Sequence, residues 1–180
     1  MKFDLLGIGN ALVDVEVRVE DKFIEKNSLI KGGMTLSSIE NQKKILKELN
    51  AFPVKISSGG SAANTAHGLS VLGGKAYYLG RVANDKYGKY YAEDMQSCGV
   101  QFSGIGNELS DTGTCVVLVT PDGERTMLTY LGASSSLHHG DINEKIIEDS
   151  TMVYIEGYLW TGEETRKAAE KLAQIAKINN

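Results

Sequence analysis

The stretch Ser57-Ser58-Gly59-Gly60-Ser61-Ala62-Ala63-Asn64-Thr65-Ala66 decides how the chain is read. A glycine pair opening a helix of small residues leaves the backbone bare, so that a strand or a ligand can approach it closely. Asn64 stands one turn into that helix and faces the same gap. Ala62, Ala66, Leu69 and Leu72 continue the helical spacing, Gly73-Gly74 stops it, and Ala76 to Leu79 reads as the next strand. The unit is strand, helix, strand, with an opening where the helix begins. A tight turn with alanines packed on a sheet accounts for the same residues, and the two readings are compatible.

Upstream, Phe3 to Ile8 is a short apolar run ending in Gly7 and Gly9. Val13, Val15, Val17 and Val19 then alternate with Asp14, Glu16, Arg18 and Glu20, so a buried strand leads into a half-exposed one. Ser37 and Glu40 have capping-box spacing ahead of Ile45, Leu46 and Leu49, which predicts a helix to about Asn50 that Pro53 closes. Downstream, Asn84 or Asp85 caps a helix through about Ser97. Cys115 to Val119 reads as a buried strand, turned by Thr120-Pro121-Asp122-Gly123 into Arg125 to Tyr130. Thr151 to Ile155 is a further strand, and Thr161 with Glu164 caps a helix lined by Ala168, Leu172, Ile175 and Ala176. This alternation predicts an α/β fold with a mostly parallel sheet covered on both faces and a smaller accessory sheet of polar-alternating hairpins. The last helix asks for one more strand, so the fold reads as cut short.

Composition narrows the function classes. A chain of 180 residues with 42% hydrophobic residues, 20 glycines and 2 prolines is ordinary material for one domain. Its net charge of -4, with basic and acidic residues interspersed, lacks the basic stripe of a nucleic-acid binder. Cys98 and Cys115 sit among apolar residues without neighbours at metal-ligand spacing, which predicts buried free thiols and a reducing compartment. No cationic leader and no run of about 18 apolar residues is found. The expectation is a cytoplasmic protein with no membrane and no metal site of its own.

Two familiar phosphate motifs fail. Gly7-Ile-Gly9 follows a strand, but Leu12 stands where a dinucleotide fingerprint needs its third glycine, which removes a dehydrogenase reading. Gly74-Lys75 is followed by alanine and preceded by no glycine at the P-loop distance. Asn10 and Asp14 lie just past the first strand, where open parallel sheets place ligands, and an amide with a carboxylate can hold vicinal hydroxyls. A turn cap and a solvated strand face explain them equally well. Glu156 and Tyr158 follow another strand, and the tyrosine could cover a base or sugar ring. Arg125 could neutralise phosphoryl charge, although an exposed arginine is more often simply solvated. His67, His138 and His139 show no triad or metal pattern.

Taken together, Gly-Ile-Gly-Asn-Ala-Leu-Val-Asp at 7–14, Gly-Gly-Ser-Ala-Ala-Asn-Thr-Ala at 59–66, and Gly73 resemble the N-terminal pattern of the ribokinase family of carbohydrate and nucleoside kinases, also called the phosphofructokinase-B type. Ala83 departs from it, where that pattern has a glycine. Thr112-Gly113-Thr114-Cys115, the Glu124-Arg125 turn and Tyr154-Ile155-Glu156-Gly157-Tyr158 look more like the adenosine kinase branch than like ribokinase itself. The resemblance implies a ribokinase-like three-layer α/β/α domain over residues 1–180, with lid strands within about 11–36, 52–58 and 113–131. It implies that Asn10, Asp14, Gly59, Gly60 and Asn64 bind sugar hydroxyls, that Cys115, Met127 and Tyr158 line a ring pocket, and that Arg125 approaches the transferred phosphoryl group. ATP and Mg2+ would serve the intact enzyme. The Asn-x-x-Glu magnesium motif and the Gly-Ala-Gly-Asp segment, with its catalytic base, are absent from these residues. The expected function is ATP-dependent phosphorylation of a primary hydroxyl of a sugar or nucleoside, with this chain as the acceptor half, inactive alone and able to form a homodimer through its lid strands. The rival is a non-catalytic ligand-binding or interaction module.

Overall fold

A computed structural model describes residues 2–107 and 110–178. The strands are β1 (Leu5–Ile8), β2 (Leu12–Arg18), β3 (Met34–Leu36), β4 (Val54–Gly59), β5 (Ala76–Ala83), β6 (Gln101–Asn107), β7 (Gly113–Val119), β8 (Arg125–Tyr130) and β9 (Val153–Ile155). The α-helices are α1 (Asp21–Lys26), α2 (Ile39–Glu48), α3 (Ser61–Val71), α4 (Lys86–Ser97), α5 (Glu144–Glu148) and α6 (Glu163–Ile178). They build two sheets. One runs in the order β6-β5-β1-β9 and is parallel throughout, and the other runs β3-β8-β7-β2-β4.

The parallel sheet forms because its strands are apolar on both faces and each face finds helices. Leu5, Tyr78 and Val82 point to one side, against Ala62, Ala63 and Ala66 of α3 and Tyr91 and Met95 of α4. Leu6, Ile8 and Leu79 point to the other, against Ala168, Ala169 and Leu172 of α6. The three alanines of α3 let that helix lie close on the sheet, which brings its first turn to the ends of β1 and β9. Asp85 caps α4 by accepting from Gly88 N at 2.7 Å.

The second sheet alternates, and the alternation separates its faces. Val17, Val116, Leu118 and Leu128 pack against Ile24 of α1, Ile45 of α2 and Leu49 just past its end. The opposite face turns toward the C-terminal end of the parallel sheet. This sheet is not the smaller one: it has five strands against four among the described residues. Nor is it built of hairpins alone, since β2 pairs in parallel with β7 and β3 in parallel with β8. Such long-range pairs leave no local turn signal in the sequence.

Three local expectations are corrected. Ser38, not Ser37, caps α2, accepting from Asn41 N at 3.2 Å, and the helix ends at Glu48. Thr161 does not cap α6: it lies in a 3-10 turn and donates to Tyr158 O at 2.8 Å, while the helix begins at Glu163. Cys98 is only partly buried because it ends α4, whereas Cys115 is buried; both are free thiols. No described helix is long and apolar enough to cross a membrane.

Candidate active site

Where the two sheets face each other they enclose a cavity of about 280 Å³. Its roof is one face of the second sheet, read off at every other residue: Leu12 and Asp14 of β2, Cys115 and Val117 of β7, Arg125, Met127 and Thr129 of β8, Met34 and Leu36 of β3. Its floor is polar backbone and side chains at strand and helix ends: Asn10 after β1, Gly60, Ser61 and Asn64 at the start of α3, and Glu156 and Tyr158 after β9. Of the residues nominated from sequence, all but Gly59 line this one cavity. Gly59 sits behind it, directly under Asp14.

The glycines explain how the floor is assembled. Gly60 has φ of +103°, a conformation that L side chains rarely adopt, and it starts α3 beneath Asn10. A Cβ on Gly9 would meet Glu156 Oε2 at 2.4 Å, so a bare backbone there leaves room for a buried carboxylate. That carboxylate is the centre of the floor. Glu156 Oε1 accepts from Asn10 Nδ2 at 3.0 Å and Oε2 accepts from Ala62 N at 3.1 Å. Glu156 is 3% exposed, and it fills the otherwise unpaired N–H of the first helical turn.

Asp14 is electrostatically distinct. Burial pushes its carboxyl up to about 6, against the opposing pull of the nearby Arg125 guanidinium and with a small push from Glu16. A half-buried carboxylate that accepts no hydrogen bond from the described residues is costly to ionise, and hydroxyl donors from a ligand would relieve that cost. Cys115 is different in kind: burial raises its thiol to about 11, and Thr129 Oγ1 donates to its sulfur at 3.5 Å. It acts as an apolar wall group, not a nucleophile.

Comparison with known proteins settles the family. The model for "pfkB family carbohydrate kinase" matches residues 34–180. The chain belongs to the pfkB family. Adenosine kinase of Saccharomyces cerevisiae is 32% identical across 100% of the chain and 54% of its own length, and 5-dehydro-2-deoxygluconokinase of Halalkalibacterium halodurans is 27% identical across 99% and 48%. Among solved structures, adenosine kinase from Sinorhizobium meliloti superposes with a TM-score of 0.92 at 38% identity, covering 99% of this chain and 54% of that one. A probable sugar kinase from Rhizobium etli CFN 42 does so at 0.93 and 37%, covering 100% and 55%. The fold is therefore the three-layer fold of this kinase family, and the chain spans about half the length of the relatives it matches.

Glu156 is the residue that sequence reading underrated. In the sequence it is one more polar residue after a strand, beside Tyr158, because its partners Asn10 and Ala62 are 146 and 94 positions away. Nothing in the sequence marks Met34 and Leu36 as cavity residues. Among the described residues no group of three or more His, Cys, Asp or Glu side chains is placed to hold a metal ion. The floor's own cohesion is testable. Glu156→Ala strands the Asn10 amide and the Ala62 N–H, each a buried donor, and is expected to destabilise the protein by about 2 kcal/mol in urea unfolding.

Proposed function

We propose that this chain carries the acceptor side of a kinase that phosphorylates a primary hydroxyl of a sugar or nucleoside. The observation that supports it best is that Asp14 on the roof and Asn10, Asn64 and the bare Gly60 backbone on the floor line one cavity whose roof is otherwise mostly apolar. A ligand satisfying both halves has several hydroxyls at one end and a flat, weakly polar body at the other. A ribose attached to a base is such a molecule, and the names of the adenosine kinases among the relatives agree with it. In this reading Asp14 accepts from vicinal hydroxyls and Asn64 with Asn10 completes their hydrogen bonds. Cys115, Met127 and Tyr158 flank the ring, and Gly59 keeps Asp14 in place.

The residues of the chain orient the acceptor rather than activate the donor. Arg125, exposed at the cavity rim and close enough to influence Asp14, would offset charge on a phosphoryl group arriving there. ATP with Mg2+ would supply that group in the whole kinase. The mixed sheet over the cavity would act as a lid, closing on the acceptor so that water is excluded in a cytoplasmic enzyme that must not waste its donor.

Calorimetric titration with adenosine and with ribose tests the reading. Micromolar to millimolar binding of either is expected, and failure of both sugars and nucleosides to bind overturns it in favour of a non-catalytic interaction module. The pH dependence carries its own sign. Because the carboxyl titrates near 6 and must be ionised to accept hydroxyl bonds, Kd should rise up to about tenfold per pH unit below 6 and level off above it.

A further inference from the structure

The strand that delivers Gly59 and Gly60 lies at the edge of its sheet and, among the described residues, pairs on one side only, with β2. Its outer side is held by side chains of α4, a helix that belongs to the other layer. Tyr90 Oη donates to Ile56 O at 2.8 Å, Tyr91 Oη donates to Gly59 O at 3.0 Å, and Asp94 Oδ2 accepts from Ser58 N at 2.9 Å and Ser58 Oγ at 2.6 Å. These groups stand in for a neighbouring strand. Tyr91 is fully buried, its ring fixed by Phe102 at 5.2 Å and Tyr78 at 6.4 Å between centroids. Burial also holds its hydroxyl far above the usual tyrosine range, so it stays a donor.

We propose that Tyr91, seconded by Asp94, is a positioning residue for the acceptor site, fixing the Gly59-Gly60 peptide from behind. A trans peptide directs its C=O and N–H to opposite sides. Tyr91 holds the Gly59 carbonyl on the α4 side, which sets the Gly60 N–H on the other, and Gly60 lines the cavity. The same bond fixes Gly59 under Asp14, whose carboxylate would be within 2.4 Å of any Cβ there. The helix packed on β5 and β6 thereby sets the geometry of a site to which it contributes no lining residue.

This inference rests on the acceptor-site reading, and the experiment keeps the two apart. Tyr91→Phe removes one hydroxyl that bonds the glycine turn; Tyr90→Phe removes a like hydroxyl that bonds the same strand three residues earlier. Adenosine titration should show Kd raised about tenfold by Tyr91→Phe and within about twofold of the unsubstituted protein for Tyr90→Phe. The Gly60 amide resonance should shift and broaden only in the first variant. Equal affinity for Tyr91→Phe and the unsubstituted protein, or an equal loss in both variants, overturns the proposal. If the unsubstituted protein binds no adenosine, the functional reading fails by itself, and an unmoved Gly60 resonance in Tyr91→Phe would still refute positioning. Asp94→Ala, at a partly exposed site, gives the same readouts should Tyr91→Phe fail to fold, with the same expected shift and the same refutation.

Discussion

Replacing Asp14 by asparagine is expected to weaken adenosine binding by at least about a hundredfold while making the unliganded protein more stable at neutral pH. The two effects share one cause. Asp14 sits half-buried on the roof of the cavity with its carboxyl pushed up to about 6, so at pH 7 the folded protein holds an ionised group that its surroundings disfavour. A folded-state pKa above the unfolded value of 3.8 means that the group's contribution to stability is fully present below about pH 4 and is lost as pH rises through about 6. Asparagine cannot ionise, so the variant should gain on the order of 2 kcal/mol over the unsubstituted protein at pH 7.5 and nothing at pH 3.5. Thermal unfolding at both pH values checks this. Binding moves the other way, because the amide presents one acceptor and one donor where two hydroxyls need two acceptors. A variant of unchanged affinity would remove Asp14 from the site; one of unchanged stability would mean that the carboxylate is better solvated than its burial implies.

That tension between stability and binding was legible in the sequence only in outline. The glycine pair, the small residues of α3 and the valine alternation of β2 encode local geometry, while the sharing of one cavity by Asn10, Asp14, Gly60 and Asn64 was implied only by the family resemblance. Cys115, Arg125 and Met127 entered the site only through the family resemblance; the turn between β7 and β8 by itself says that the two strands pair, and the pairing puts the three on one face. The parts that escaped are those decided by distant pairing. β3 is three residues long, follows Gly32-Gly33 without an alternating partner, and is recognisable as a strand only once it lies beside β8, which is what brings Met34 and Leu36 over the cavity. Glu156 looks like any acidic residue after a strand until β9 pairs with β1 and sets its carboxylate beneath Asn10. The choice between Ser37 and Ser38 as a cap fails for a smaller reason: both hydroxyls are engaged, Ser37 Oγ by the Asn41 side chain and Ser38 Oγ by its backbone.

The glycine pair itself should divide into a residue that serves the fold and one that serves the site. Gly60→Ala meets two penalties that nothing nearby can relieve: φ of +103°, and a Cβ 2.3 Å from the Asn10 carbonyl oxygen, which is backbone. It is expected to lower stability by about 3 kcal/mol. Gly59→Ala is different, because its φ lies outside the left-handed region and the atoms its Cβ would meet belong to a side chain and not to backbone. Its new Cβ would stand 2.4 Å from Asp14 Oδ1, 2.5 Å from Cγ and 2.6 Å from Oδ2, and a short side chain can swing aside. The fold should therefore survive within about 1 kcal/mol while the carboxylate leaves its place, and adenosine affinity should fall about a hundredfold, much as in Asp14→Asn. Combining the two distinguishes displacement from general damage. If Gly59→Ala acts only through Asp14, it costs almost nothing further in binding once asparagine is already there, and the cycle is strongly non-additive. Additive losses would mean that the Gly59 backbone, not the carboxylate above it, is what the acceptor requires.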